Sequence, residues 1–191
     1  MLGLGEAKER ILRDLEWISV STPYVTPRLP GEAEAWGAEA AQHGGVGTQR
    51  LLDVTEIVPA AELAEALQLD AGAPVIQRRR LMLLDERPVE LTTSLYPATI
   101  ARGTGLAELR KIRGGAVTLL AELGYRPRRV SEDVYTRRAT DAEQSLLHLR
   151  EDDWVLGLTR VLSTDDGLPV ELSVMSMTAE GRRLRYESSI A

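Results

Sequence analysis

The chain of 191 residues contains no cysteine and no phenylalanine, and it has only two histidines, His43 and His148. The absence of cysteine excludes disulfides, thiolate metal sites and cysteine nucleophiles together. Two histidines are too few for a histidine-rich metal cluster. We therefore predict neither a metal site nor a cofactor.

The sequence also lacks long apolar runs and a positive net charge. No run approaches the roughly 18 apolar residues that a membrane-spanning helix requires. The charged N-terminus, with Glu6, Lys8 and Arg10, has no signal-peptide core. We therefore expect a cytoplasmic protein with no membrane partner. Its net charge of -6 opposes the phosphate backbone, so this chain by itself is expected to bind DNA poorly.

The chain does contain a second copy of its own middle segment. Residues 75–92 return about 80 residues later as residues 155–173, so that Arg80 matches Arg160 and both copies contain Pro-Val-Glu-Leu near their ends. A strand-like segment and an Ala-rich or acidic helical run precede each copy. A repeat of strand, helix, strand, turn and strand predicts an α+β domain. It has six strands in one antiparallel sheet, with two equivalent helices packed against it.

The periodicity and the turn residues set the expected boundaries of these elements. We predict an N-terminal extension over residues 1–44 and one effector-binding domain over residues 45–191. The extension holds a helix at 6–17, a proline-rich connector at 19–31 that lies over the domain, and a helix at 32–43. The repeat strands are predicted at 50–58, 75–84, 88–96, 128–138, 154–163 and 169–177, and the repeat helices at 60–69 and 141–149. Two further helices are predicted at 98–109 and 116–123, and a short final strand with solvated arginines within 180–187.

Arginines among apolar neighbours are the candidate chemistry. Because successive strand side chains point to opposite faces, Arg78 and Arg80 share a face with Ile76 and Met82, and Arg160 lies among leucines. Burying a lone charge costs several kcal/mol. An anionic group is therefore expected to meet these guanidinium groups.

That anionic group has two possible sources. If the first turn closes as a hairpin, Arg80 lies across from Thr92 and diagonal to Glu90, which predicts an internal Arg-Glu pair. Alternatively, Arg78 and Arg80 together suit a bound carboxylate or phosphate. The second copy repeats the first arrangement with its own arginine, hydroxyl and acid: Arg160, Ser173 and Glu171.

A second candidate is the glycine pair Gly114-Gly115, which opens the predicted helix 116–123. Free backbone N–H groups there are able to cradle an anion, but a flexible start of the helix is the preferred explanation of the glycines. No Gly-x-Ser-x-Gly elbow is present, so we do not predict an enzyme. The predicted ligand-binding residues are Arg78, Arg80, Thr92, Ser94, Gly115, Thr118, Arg160, Glu171 and Ser173.

The ordered motifs resemble a known family. Residues 75–97 contain Val-Ile-x-Arg-x-Arg-Leu, followed by Asp-x-x-Pro-Val-Glu and Tyr-Pro. A predicted helix then ends in Leu-Gly-Tyr at residues 123–125. Residues 154–171 contain Trp-Val-Leu-x-Leu-x-Arg, followed by Asp-x-Gly-x-Pro-Val-Glu. This set is similar to the UTRA domain, the effector-binding domain of the HutC subgroup of GntR-type transcription regulators. The resemblance implies a chorismate-lyase-like fold, a homodimer and a small-molecule pocket between sheet and helices.

The resemblance also implies a winged-helix DNA-binding head, which the residues before the repeat do not contain. The chain is therefore expected to be a part of a longer regulator or a stand-alone sensor. At positions where sugar-phosphate-sensing members carry polar groups, this chain has Met82, Thr92, Gly115 and Leu184. These differences favour a less polar ligand with a single anionic group.

The leading hypothesis is thus a sensory domain that binds a small anionic or weakly polar metabolite as a homodimer. DNA is contacted only through a head outside this chain. Two alternatives remain at this point. One is a dimerisation or antirepressor subunit that pairs with a complete regulator, and the other is an enzyme of the chorismate lyase type.

Overall fold

A computed structural model describes residues 17–29 and 31–187. The predicted helix 6–17 lies outside the described residues except for Trp17, which begins a strand. In chain order the elements are β1 (Trp17–Val20), α1 (Thr22–Val25), α2 (Ala35–Gln42), β2 (Gly47–Ile57), α3 (Ala61–Ala66), β3 (Val75–Leu84), β4 (Arg87–Pro97), α4 (Ala98–Ala101), α5 (Ala116–Glu122), β5 (Arg129–Arg138), α6 (Asp141–Leu147), β6 (Trp154–Ser163), β7 (Pro169–Thr178) and β8 (Arg182–Arg185).

The predicted six-stranded antiparallel sheet is confirmed. Its strand order is β2-β3-β4-β7-β6-β5, so the first repeat forms one half of the sheet and the second repeat forms the other half. The inner strands β4 and β7 pair at the centre, where Thr93 lies opposite its equivalent in the second repeat, Val174, and Ser94 lies opposite Ser173. The duplication in the sequence therefore becomes an approximate twofold arrangement in which equivalent residues of the two halves meet.

The hairpin registers follow the sequence prediction. Arg80 lies across from Thr92, and Arg160 lies across from Ser173. Alternation then divides the side chains between two faces of the sheet. We call the face that carries Arg78, Arg80 and Arg160 the arginine face.

The two repeat helices α3 and α6 pack on the opposite face, as predicted. Leu67, which follows α3, contacts buried Val75 and Leu95, and Leu147 of α6 contacts buried Leu81 and Val155. Burying side chains of this size contributes about 1.5–3 kcal/mol each. These contacts secure the sheet and leave the arginine face to be covered by other segments.

The segments between the repeats cover part of the arginine face. Tyr96, Leu106 and Leu120 are fully buried there with Ile76 and Leu162. The predicted helix 98–109 is wrong, because α4 ends at Ala101 and the chain continues as turns. Gly103 has a positive φ of 73°, which interrupts a helix.

The proline-rich connector also lies over the arginine face, but it is more regular than predicted. It contains the four-residue strand β1 and the single helical turn α1. β1 pairs in parallel with β8, so the predicted final strand exists but belongs to a separate two-stranded sheet. Arg182 of β8 is not solvated as expected, since its side chain is 8% exposed and forms an ion pair of 3.1 Å with Glu90.

No helix within residues 17–29 and 31–187 is long and apolar enough to cross a bilayer.

Helix α6 begins with a capping box. The Thr140 hydroxyl accepts the Glu143 N–H, and the Glu143 carboxylate accepts the Thr140 N–H. Arg137 donates two hydrogen bonds of 2.6 and 2.7 Å to the same carboxylate. Although burial favours the protonated acid, the hydrogen bonds from Arg137, Ser176 and Thr140 prevail and lower the pKa of Glu143 from 4.5 to about 2.

We predict that Glu143→Gln destabilises the domain by about 3 kcal/mol at pH 7. Because the pKa is depressed in the folded state, this stabilisation is present above about pH 4.5 and is lost as the pH falls toward 2. Urea unfolding at pH 7 and pH 3 measures both effects. The control is Glu62→Gln in the first turn of the equivalent helix α3, where the side chain is exposed and a change below about 0.5 kcal/mol is expected.

Candidate functional site

An open cavity lies between the arginine face and the N-terminal segment that crosses it, with about 820 Å³ of free space that includes solvent at its mouth. Strands β3, β4, β6 and β7 supply its floor, and α1, α2 and the start of α5 supply its walls. Its charged lining residues comprise three arginines and three glutamates: Arg28, Arg80, Arg160, Glu34, Glu90 and Glu171. Since positive and negative groups are equal in number, the ion pairs that they form determine which charges are left to bind a ligand.

Arg160 is paired with an acid of the protein itself. Its Nε donates a 2.5 Å hydrogen bond to Glu132, and its second terminal nitrogen donates to the Ser21 hydroxyl at 3.1 Å. Glu132 lies directly across from Arg160 on β5. The predicted Arg160-Glu171 pair is therefore wrong, because the outer neighbouring strand supplies the acid.

Arg80 occupies the equivalent position of the first repeat without an equivalent acid. The residue directly across on the outer strand β2 is Leu51. One terminal nitrogen of Arg80 donates to the Ser94 hydroxyl at 2.8 Å, and its buried Nε has no partner within the described residues. Among those residues no carboxylate forms an ion pair with Arg80. The first repeat thus leaves open the position that Glu132 fills in the second.

Two serines join Arg80 to a buried acid. The Ser94 hydroxyl shares a 2.7 Å hydrogen bond with the Ser173 hydroxyl, which donates to Glu171 Oε1 at 2.6 Å. The other carboxylate oxygen, Glu171 Oε2, is buried without a partner in the described part of the chain. The cavity floor therefore carries an unused donor on Arg80 and an unused acceptor on Glu171.

The predicted internal pair between Arg80 and Glu90 is also wrong. Glu90 pairs with Arg182 and accepts a 2.7 Å hydrogen bond from the Thr92 hydroxyl. Thr92 therefore lines the cavity with its hydroxyl already engaged by the protein.

Arg78 is buried beneath the segment that follows α4. Its terminal nitrogens donate to the main-chain carbonyl oxygens of Leu106, Glu108 and Arg110 at 2.7 to 2.8 Å. The predicted helix 98–109 does not form, and these carbonyls turn toward the guanidinium instead. Arg78 borders a smaller adjoining cavity together with Arg80. Its donors organise a loop, so two cations of the described residues face the main cavity without an ion pair: Arg80 on the floor, and Arg28 on the wall, which donates to the Pro23 carbonyl and has a buried Nε without a partner.

The predicted glycine-rich site divides between two roles. Gly114 and Gly115 have φ values of 76° and 85°, a left-handed conformation that favours glycine, and both line the cavity. The Thr118 hydroxyl donates to the Gly114 carbonyl and accepts the Arg28 N–H, so it braces the wall and does not line the main cavity.

The N-terminal segment forms a wall of the cavity through Pro23, Tyr24, Thr26 and Arg28. Glu39 of α2 holds it in place by accepting hydrogen bonds from Trp17, from Ser19 at 2.7 Å and from Tyr24 at 2.8 Å. Burial and the Glu39 carboxylate raise the pKa of Tyr24 above its ordinary value, so its phenol stays protonated and donates. We call residues 17–28 the strap.

Of the nine predicted residues, the structure brings six together around the cavity: Arg80, Thr92, Gly115, Arg160, Glu171 and Ser173. Ser94 lies just beneath, whereas Arg78 and Thr118 bind main-chain atoms. The prediction missed the strap residue Tyr24 and the acid Glu132. Tyr24 is the lone aromatic residue of the connector, but no local pattern places it against β6. Within the described residues, no group of three or more His, Asp or Glu side chains is able to hold a metal ion.

Comparison with known proteins gives a family match over most of the chain. A family model described as the UTRA domain matches residues 42–180. An uncharacterized HTH-type transcriptional regulator of Streptomyces coelicolor, SCO4628, is 32% identical over 124 residues, which are 63% of this chain and 46% of that protein. A second such regulator, RB1450 of Rhizobium meliloti, is 31% identical over 144 residues, which are 75% of this chain and 58% of that protein. The chain thus spans about half the length of these curated relatives.

A solved structure shares the fold. The effector domain of PhnF from Mycobacterium smegmatis superimposes with a TM-score of 0.69 at 22% identity, over 86% of this chain and 99% of that domain. This likeness supports the α+β architecture of a chorismate-lyase-like sheet with packed helices.

We predict that Arg78→Met destabilises the domain by about 3 kcal/mol, because several carbonyls lose a charged donor at once. Urea unfolding measures the loss, and amide exchange in residues 105–110 should rise well before global unfolding. The matched control is the neighbouring Arg79→Met, whose half-exposed side chain forms one ion pair of 3.3 Å with Asp53. That change should cost less than about 1 kcal/mol. Equal losses for the two variants would contradict the role assigned to Arg78.

Proposed function

The chain belongs to the UTRA domain family of GntR-type transcriptional regulators, and on that premise we propose that its cavity binds a small effector that controls DNA binding by a winged-helix domain of a longer regulator. One observation carries the proposal. Arg80 faces the cavity and has no acid partner among the described residues. Because a buried guanidinium nitrogen without an acceptor is costly, an anionic ligand gains much by meeting it.

The repeat supplies an internal guide to how such a ligand binds. In the second repeat the Glu132 carboxylate meets Nε of Arg160. A ligand carboxylate or phosphate at the corresponding point beside Leu51 would meet Nε of Arg80 in the same way. Leu51 lines the adjoining cavity, so space exists on that side.

The remainder of the cavity sets further requirements for the ligand. Met82, Val117 and Met175 line it, which suits a weakly polar body. The unused acceptor Glu171 Oε2 lies beyond Ser94 and Ser173. We therefore propose a compact ligand with one anionic group and a hydrogen-bond donor such as a hydroxyl or an amine.

A thermal-shift screen of carboxylated and phosphorylated metabolites tests this proposal, and we expect at least one stabiliser. Arg80→Ala should weaken its binding by about tenfold to a hundredfold, because a charged hydrogen bond is lost. Leu51→Glu should weaken binding similarly while keeping the arginine, since the new carboxylate occupies the open position. Arg79→Ala removes a neighbouring guanidinium from the opposite face and should leave affinity unchanged.

Two results would overturn the proposed site. A broad anionic library without a stabiliser would remove the sensory function. A stabiliser that binds Arg80→Ala and Leu51→Glu as tightly as the original chain would place the ligand elsewhere.

The strap is the proposed route from the cavity to the rest of the regulator. Arg160 holds it directly by donating to Ser21, and Glu90 holds it through Arg182, whose guanidinium lies 5.7 Å from the Trp17 ring. A ligand that contacts Arg160 or Glu90 changes the partners of the strap. Binding and strap docking are then coupled by their differential contacts.

We predict that ligand binding changes amide hydrogen exchange in residues 17–25. We also predict that Glu39→Gln, which weakens the acceptor shared by Trp17, Ser19 and Tyr24, destabilises strap docking by about 1–3 kcal/mol. Faster exchange in the strap, with unchanged exchange in β4 and β7, is the expected signature. Identical strap exchange with and without ligand would contradict the coupling.

The family resemblance and the length of the curated relatives support a longer, dimeric regulator over a stand-alone antirepressor subunit. The family is one of regulator effector domains and not of enzymes, so chorismate lyase activity is not part of the proposal. The DNA-binding head and the homodimer belong to the proposal and not to the observed contacts of this chain.

A further inference from the structure

The two acids of the repeated motif Pro-Val-Glu-Leu are equivalent in the sequence, Glu90 in the first repeat and Glu171 in the second. Each uses one carboxylate oxygen in the same way, to accept the hydroxyl of the residue two positions further along its strand. Thr92 donates to Glu90 Oε1 at 2.7 Å. Ser173 donates to Glu171 Oε1 at 2.6 Å. The two carboxylates are therefore held alike at Oε1, and their Oε2 atoms can be compared directly.

The Oε2 atoms of the two acids have different surroundings. Glu90 Oε2 forms an ion pair of 3.1 Å with the guanidinium of Arg182, and both side chains are buried. Glu171 Oε2 is also buried, but it has no hydrogen-bond partner in residues 17–29 and 31–187. Among those residues no cation forms an ion pair with Glu171. The second repeat thus lacks the cation that completes the carboxylate of the first repeat.

The neighbouring donors of the protein do not supply this missing partner. Tyr96 lies on β4, the strand beside β7, and its hydroxyl is itself buried without a partner in the described part of the chain. Arg80 donates to the Ser94 hydroxyl at 2.8 Å, and Ser94 in turn donates to Glu171 Oε1 at 3.3 Å. Since a buried carboxylate oxygen without a partner is costly, a cation that reaches Glu171 Oε2 is stabilised there.

We propose that the cavity binds a zwitterion, whose anionic group meets Arg80 and whose ammonium or guanidinium group meets Glu171 Oε2 as Arg182 meets Glu90. This inference rests on the proposed function and narrows the hydrogen-bond donor of the ligand to a positively charged one. Amino acids are the class of metabolite that joins both charges on a compact body. Glu171 already lines the cavity, and its buried oxygen reaches the ligand when the side chain turns toward that space.

The arrangement of the two open charges favours a zwitterion over a simple anion. Arg80 and Glu171 lie at the two ends of a short chain of hydroxyl groups from Ser94 and Ser173. An anion that meets Arg80 alone is repelled by the nearby Glu171 carboxylate, and such repulsion is strong where water is excluded. A cationic group on the same ligand replaces this repulsion with attraction.

A pair of variants tests the missing cation without any ligand. Glu90→Gln should lower the urea midpoint of unfolding, because it leaves Arg182 buried without an acid. Glu171→Gln keeps the shape of the side chain and removes a buried charge that has no cation, so its midpoint should stay unchanged or rise. A midpoint of Glu171→Gln that falls as far as that of Glu90→Gln would reveal a cation within the protein and would overturn the proposal.

Matched ligand pairs test the cationic group itself. Titration calorimetry of the complete chain compares each protein amino acid, γ-aminobutyrate and ε-aminocaproate with the acid that lacks the amino group. At least one amino acid should bind about tenfold or more tightly than its deaminated partner, because a charged contact with Glu171 is added. Glu171→Gln should reduce this preference to about twofold or less. Glu65→Gln, at an exposed position of α3, should retain the preference.

The remaining outcomes separate this inference from the proposed function. Equal affinities within every pair, a preference that persists in Glu171→Gln, or the absence of any bound zwitterion would each overturn the inference. The proposed function survives any of these results if an anion from the metabolite screen still binds through Arg80. If neither an anion nor a zwitterion binds, both proposals fail.

Discussion

The functional difference between the two halves of this domain depends on one cross-strand position. In the second repeat Glu132 faces Arg160 and pairs with it at 2.5 Å, whereas in the first repeat Leu51 faces Arg80. The guanidinium of the second repeat therefore pairs with an acid of the protein, whereas the equivalent guanidinium of the first repeat does not. A buried cation is stabilised by an anion. The first repeat lacks that anion beside Arg80, and the contact between Glu132 and Arg160 in the second repeat shows how an anion binds at the equivalent position.

The rest of the arginine face is arranged around this vacancy. Arg78 binds the carbonyls of the loop after α4 and keeps that loop packed against the sheet. The strap covers the other side of the cavity, where the Glu39 carboxylate accepts hydrogen bonds from three of its residues. Arg78, Arg160 and Glu39 thus each hold a segment over the arginine face. This explains how a sheet with charged residues on one face remains stable and still offers a binding site.

The sheet could be predicted from the sequence because strand alternation and turn residues are local signals. The register that sets Arg80 against Thr92 followed from the hairpin alone. The partners of the arginines could not be predicted in this way. Glu132 and Glu171 are both acids near Arg160, and only the docking of β5 beside β6 decides between them. The helix expected at 98–109 failed for a related reason, because the carbonyls that would have closed it turn to a distant guanidinium.

The sequence by itself determined the duplicated α+β plan, the strand boundaries, the face that carries the arginines and the resemblance to the UTRA domain, since these depend on period and motif. The tertiary structure alone decided which arginines of the cavity are left without an acid and which segment walls the cavity. Those features depend on residues far apart in the chain, such as Ser21 and Arg160. Their contact energies exist only after the sheet has assembled, so no local pattern encodes them.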